Sequence, residues 1–262
     1  MELRDTFDTV AERYDRVRPR YPPALVERLV RAARLGPASR VLEIGPGTGQ
    51  LTRPLAATAC RLTAVERGPA LAAVARRNLA GFPRAEVVVG DFERWRPPAD
   101  QPGLFDLVAC ATAFHWLDPA DRVGRAAAVL RPGGLLALVT THHVAGGSDG
   151  FFAEAQSCYE RWDPATPPGL RLAAAEATAT DTGELTGSGL LTDVVAHRHT
   201  QDITYTADAY VEVLLTYSGH LALDAPSRRG LLACLRGLIE TRYGGRITKR
   251  YLHELILARR TA

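Results

Sequence analysis

The segment VLEIGPGTGQ (41–50) sets a carboxylate, Glu43, two residues ahead of the first of three alternating glycines, Gly45, Gly47 and Gly49. Glycine is needed where a backbone turns tightly and where it must come close to a ligand. An apolar run of strand type, RVLEIG (40–45), leads into the turn, and helical spacing resumes at Leu51, Leu55 and Ala56. The next strand-like run, RLTAVE (61–66), ends on Glu66, where an acidic side chain can accept hydrogen bonds from two ribose hydroxyls. The glycine spacing is G-x-G-x-G, not the G-x-G-x-x-G of dinucleotide turns. A carboxylate in that turn would serve an anionic pyrophosphate poorly. It would serve a nucleoside bearing an ammonium and a sulfonium well.

Other side chains offer proton transfer or orientation. His115 follows the apolar run FDLVACA (105–111). An imidazole with an ordinary pKa near 6.5 suits proton removal at neutral pH, orientation of an ionised acid, or packing beside Trp116. His142 and His143 follow the fifth strand-like run and, as neighbours, point in different directions. His197 and His199 alternate on a strand and are expected to face solvent. Asp118 and Asp121 open a helix, where carboxylates favour the dipole. Tyr14, Arg18 and Tyr21 precede the first long helix, either to set aromatic faces against positive charge or to anchor the segment. Ser218 and His220, in TYSGH, serve substrate contact or helix termination. Cys60, Cys110, Cys158 and Cys234 form no CxxC or Cys/His cluster, so they are expected to be reduced, and no metal site is expected.

The elements that must position these residues alternate. Leu25, Val26, Leu29, Val30 and Ala33 give a helix over 23–35, opened by Pro23 and closed by Gly36 and Pro37. Strands are predicted at 40–45, 61–66, 85–90, 105–111 and 134–140, with helices from 51, over 69–79 and over 118–130. Strands that are apolar throughout belong to parallel sheets covered on both faces. The alternation predicts an α/β, doubly wound, mostly parallel sheet with its ligand at the strands' carboxyl ends. Beyond residue 140 the rhythm changes. A glycine-rich loop is expected at 142–150, a loop at 162–169, a helical alanine stretch at 170–179, a strand at 194–205, and helices at 207–217 and 226–242.

The chain has 262 residues with 46% hydrophobic and 23% charged side chains, ordinary values for one globular domain with a proper core. No apolar run approaches the roughly 18–20 residues that cross a bilayer, and no secretion signal is read at the start, so a soluble, cytoplasmic protein is expected. The net charge of +3 hides a bias: Lys249 is the single lysine among 32 basic residues. That arginine excess reads as codon bias, not as a nucleic-acid surface. The exception is RYDRVRPRYP (13–22), where Arg13, Arg16, Arg18 and Arg20 crowd together.

Six ordered segments together resemble the class I S-adenosylmethionine (SAM)-dependent methyltransferase family. They are FDTVAERYDRVRPRYP (7–22), LEIGPGTG (42–49), VERG (65–68), VVGDFERW (88–95), FDLVACATAFHWLDP (105–119) and LRPGGLLAL (130–138). The first is similar to the cofactor-covering start of bacterial members, including relatives of trans-aconitate methyltransferase. The resemblance implies a Rossmann-like seven-stranded sheet with a helical lid insertion after the fifth strand. It divides a single domain into a cofactor-covering segment (1–35), a SAM-binding core (36–141), a lid (142–190) and a return to the sheet (191–262). It implies that Glu43, Gly45, Pro46, Gly47 and Gly49 hold the methionine part and Glu66, with Arg67, the ribose. Asp91 would take the adenine amino group and Phe92 the purine face, with Ala111 beside the cofactor. Tyr14, Arg18, Tyr21, His115, Trp116, His142 and Ser218 would contact the substrate, with His115 catalytic. The expected reaction is methyl transfer to a small organic molecule at a carboxylate or hydroxyl oxygen, without metal, by a monomer or homodimer. RNA or protein methylation stays open, as does use of SAM for another reaction or for none.

Overall fold

A computed structural model describes residues 3–97 and 105–261 of the chain. Residues 1–2 of the expected covering segment and 262 of the expected return lie outside the described residues. In chain order the elements are α1 (Ala11–Val17), α2 (Pro23–Ala32), β1 (Arg40–Ile44), α3 (Thr52–Ala56), β2 (Arg61–Glu66), α4 (Pro69–Asn78), β3 (Ala85–Val89) and β4 (Phe105–Ala111). Then come α5 (Arg122–Val129), β5 (Leu130–Gly147), α6 (Asp149–Trp162), α7 (Gly183–Gly187) and β6 (Leu191–Thr206). Helices α8 (Ala207–Leu214), α9 (Ser218–Ala222) and α10 (Ala225–Arg242) precede β7 (Arg246–Arg260). The seven strands form one sheet in the order β3-β2-β1-β4-β5-β7-β6. Pairing is parallel from β3 to β5 and antiparallel over β5-β7-β6.

The chain divides into two compact units. The first comprises Met1–Arg18, His142–Ala179 and Thr200–Leu252, and the second Pro19–Thr141, Thr180–His199 and His253–Ala262. The expected insertion 142–190 therefore contributes 142–179 to one unit and 180–190 to the other.

The second unit owes its layers to strands that are apolar on both faces. Val41, Leu107, Ala109, Leu135 and Ala137 enter one core with Leu25 and Leu29 of α2 and Leu55 of α3. Their neighbours Leu42, Val108, Cys110, Leu136 and Leu138 enter the other with Val123 and Ala126 of α5. Side chains alternate along a strand, so doubly apolar strands require helices on both sides. Between Phe105↔Leu130 and Leu107↔Leu135 the β4–β5 register shifts, and the expected RPGG break is a bulge inside the strand.

The first unit is helical and aromatic. Phe151, Tyr205, Tyr210, Leu231, Leu235, Ile239 and Tyr251 form its core. Asp224 caps α10 by accepting from the Ser227 amide at 2.9 Å. Gly230 of α10 sits where a Cβ would come within 2.5 Å of the Trp162 ring, so the glycine admits the indole. Cys158 of α6 and Cys234 of α10 form a disulfide, which corrects the expectation of reduced thiols for this pair. Seventy-six residues separate them, and only the packing of two helices reveals their proximity. Cys60 and Cys110 are free and buried.

Two further segments depart from expectation. The glycine-rich stretch at 142–147 continues β5. The alanine stretch 170–179 contains a single helical turn at Ala175–Ala177, because the Ala145 amide of β5 bonds the Ala173 carbonyl and holds that backbone extended.

Candidate active site

The glycine turn joins β1 to α3 in the second unit, with Gly45, Gly47 and Gly49 all at positive φ (63°, 61° and 98°). A side chain at any of them would be strained, and at Gly45 a Cβ would also meet Ala113 at 2.7 Å. Residue choice here follows backbone geometry, with Pro46 buried between two of the glycines.

Two carboxylates flank the turn. Glu66, 6% exposed at the end of β2, accepts from the Gly47 amide at 2.9 Å and from the Gly68 amide at 2.8 Å, one on each oxygen. A carboxylate oxygen can accept more than one hydrogen bond. Glu43 is 1% exposed on β1, and its Oε2 finds no hydrogen-bond partner among the described residues. Burial, reinforced by the Glu66 charge and opposed by Thr52, pushes the Glu43 carboxyl up to about 8. An orphaned buried acid that keeps its proton at pH 7 is a site prepared for a donor or a cation.

The neighbouring strand ends complete the arrangement. The Gly90 amide donates to the Glu66 carbonyl at 2.9 Å, bringing the Asp91 turn beside β2. Asp91 Oδ1 accepts from the Glu93 amide at 3.0 Å, while Phe92 is buried. Arg67 is exposed. Beyond β4, buried Ala111 is followed by Thr112, a non-glycine residue at φ 54°, whose hydroxyl bonds the Ala111 carbonyl and lies 3.4 Å from the Tyr21 hydroxyl. Backbone outliers of this kind concentrate at functional sites, and no local sequence signal marks Thr112.

His115 occupies the turn Phe114–Trp116, exposed as a side chain, with its ring 4.7 Å from that of Trp116. Partial desolvation of the ring, then the Arg122 guanidinium, lower its pKa. The imidazole is therefore neutral at pH 7 and free to accept a proton. The ring packs beside Trp116, as the sequence alternative has it, on an exposed residue.

Tyr14, Arg18, His142 and Ser218 belong to the first unit. Arg18 lies 4.7 Å from the Tyr14 ring centre, Ser218 opens α9, and His142 is half-buried on β5. The adjacent His143 packs on Phe152 at 4.5 Å, and burial followed by the Lys249 charge pushes it down to about 2. His197 and His199 share a face of β6 but are half-buried, and the His199 Nε2 is enclosed, which corrects the expected solvent exposure. Asp121 occupies the N-cap position of α5, where its side chain pairs with Arg125 and makes no cap bond, while Asp118 accepts from the Ala120 amide. Among the described residues no group of three or more His, Cys, Asp or Glu side chains converges to hold a metal.

These features define a Rossmann-like domain of the class I methyltransferase architecture. Residues 41–134 match the family model described as a methyltransferase domain. An uncharacterized methyltransferase of Mycobacterium tuberculosis is 39% identical over 134 residues, which is 51% of this chain and 51% of that protein. The chain thus spans about half the length of that curated relative. A solved structure from Anaeromyxobacter dehalogenans, described as a type II methyltransferase, is 25% identical with a TM-score of 0.62, covering 93% of this chain and 97% of that one. Phosphoethanolamine N-methyltransferase 2 of Haemonchus contortus shares the fold at 16% identity and TM-score 0.55, over all of this chain and 61% of that one. Its structure holds phosphomonomethylethanolamine and S-adenosylhomocysteine.

Proposed function

We propose that the chain is a SAM-dependent methyltransferase acting on a small organic molecule at a carboxylate or hydroxyl oxygen, in keeping with the resemblance of its opening segment. The observation that carries the reading is the pair of buried carboxylates, Glu43 and Glu66, on either side of the glycine turn. Glu43 has an oxygen with no donor among the described residues, which fits the ammonium of the methionine part. Glu66, at the end of β2, suits the ribose hydroxyls, Asp91 the adenine amino group, and Phe92 the purine face. The glycine turn, with Pro46, lets backbone approach the ligand, and Arg67 and Ala111 border it.

SAM, when bound, supplies a methyl on a sulfonium, an excellent leaving group. The residues' main task is then alignment, worth roughly 7–11 kcal/mol. Neutral His115 takes the proton of a hydroxyl acceptor, or orients an acceptor already ionised, with Trp116 and Tyr21 as further acceptor contacts. Tyr14, Arg18, His142 and Ser218 are assigned to substrate recognition. The enzyme is proposed to be cytoplasmic, without metal, and a monomer or homodimer.

The arginines at 13–18 support a small acceptor over RNA. Arg13 and Arg16 both pair with Glu212 at 3.0 Å, and Arg18 is turned onto Thr216. Incubation with methyl-labelled SAM and a mixture of small acids and phenols should give labelled product and S-adenosylhomocysteine. Binding of SAM with no turnover of any acceptor would reduce the chain to a SAM-binding module.

A further inference from the structure

Two cations of the first unit are held against tyrosine rings and hydroxyls. Lys249, the chain's single lysine, is 4% exposed on β7. Its Nζ donates to the Tyr217 hydroxyl at 3.2 Å and lies 4.9 and 4.8 Å from the ring centres of Tyr217 and Tyr251. Arg18, just beyond α1, lies 4.4 Å from the same Tyr217 ring, and its Nε and Nη2 donate to the Thr216 hydroxyl at 2.8 Å and carbonyl at 2.6 Å. The Tyr217 hydroxyl is 3.3 Å from that of Tyr251, which is 3.1 Å from that of Tyr205.

Neither cation pairs with a carboxylate among the described residues. Four acids of this unit pair with other arginines: Glu212 with Arg13 and Arg16, Glu154 with Arg242, Asp202 with Arg250, and Asp208 with Arg236. Asp163 acts on His220, but burial and Lys249 still push that imidazole down to about 4, so it is neutral at pH 7. The local field is positive. Burial alone would raise the Tyr217 phenol, yet Lys249 and Arg18 together bring it below its ordinary value.

Enclosing a cation is costly unless an anion compensates, and an aromatic face returns only part of that cost. A unit built for stability alone would place an apolar residue at 249. Two cations against one phenol ring, with linked phenolic hydroxyls beside them, match the oxygens of an acid group.

We propose that Lys249, Arg18 and the hydroxyls of Tyr217 and Tyr251 bind the oxyanion of a small acid, a carboxylate or a phosphate. Equating that acid with the methyl acceptor rests on the function proposed above. The anion site itself does not.

The single lysine makes the test direct, because protein grown with ¹³C-lysine gives one Lys Cε cross-peak. Titration without SAM uses acetate, benzoate, inorganic phosphate and phenyl phosphate, with acetamide and benzamide as neutral controls. The acids should shift the peak saturably and the amides should not, and the tighter series, carboxylate or phosphate, identifies the acid group. Arg18→Gln should weaken acid binding about tenfold or more. Lys249→Met should melt at or above the wild-type temperature and lose the rise in Tm that the acid gives. The proposal is overturned if no acid shifts the peak, if the amides shift it equally, or if Lys249→Met melts lower. Failure here leaves SAM binding by calorimetry untouched, and failure there leaves this titration untouched.

Discussion

Each unit buries an ionisable side chain that pairs with no opposite charge among the described residues, and the two solve the problem differently. Glu43 lies under the glycine turn with an oxygen lacking any donor among the described residues, and it avoids charge by keeping its proton up to about 8. Lys249 lies among tyrosines, donating to one hydroxyl and facing two rings. A buried acid that stays protonated is matched by a cation that displaces the proton. A buried cation cushioned only by aromatic faces is matched by an anion. One polypeptide thus carries two sites of opposite polarity, and neither is explained by stability.

The largest expected effect lies at His115. If it removes a proton, His115→Ala lowers turnover by ~10²–10⁴-fold while SAM binding barely changes. His115→Gln, which keeps one hydrogen-bonding edge, separates orientation from proton transfer: full activity across pH 6–9 would reject the base. Because its surroundings lower the pKa of the imidazole, the alkaline form that accepts the proton already dominates at pH 7.

Next is the proton on Glu43. Its carboxyl titrates near 4.5 when unperturbed and about 8 in the fold, so its stabilising contribution is fully present below pH 4.5 and is lost as the pH rises through 8. The whole change is on the order of 5 kcal/mol. Glu43→Gln should remove this slope, so that thermal melts from pH 5 to 9 flatten relative to wild type. An unchanged slope would mean that Glu43 is already ionised and satisfied.

Glu66 sharpens the contrast, because its oxygens already hold two amides. Glu66→Ala should weaken SAM binding by about 1.5–3 kcal/mol by calorimetry, the range for hydrogen bonds to a charged group. Unchanged affinity in a folded variant would remove Glu66 from the site. The smallest effect is local. Thr206 caps α8 by accepting from the Ala209 amide at 3.2 Å, and Thr206→Ala should cost about 1 kcal/mol in urea unfolding without altering either site.

The second unit was largely legible because its signals are local. The apolar run, the glycines and Glu43 lie within a few residues of the turn they build, and Glu66 ends the next strand-like run. The first unit was not. The surroundings of Lys249 come from residues 14–18, 216–220 and 249–251, and only the fold brings them together; the one sequence clue was a solitary lysine in an arginine-rich chain. Glycines at 146 and 147 read as a loop, yet they end β5. A Cβ there would strike the Arg250 side chain or the Thr248 carbonyl, so these glycines mark the close approach of β7.

The central claim is that Glu43 releases its proton to solvent when the ammonium of SAM binds against it. Calorimetric titration with SAM at pH 7, in buffers of different ionisation enthalpy, should show binding with release of about one proton. Glu43→Gln should bind more weakly and release none, and Gly47→Val, at φ 61°, should not bind. No binding by the folded wild-type protein, or binding without proton release, would contradict the account.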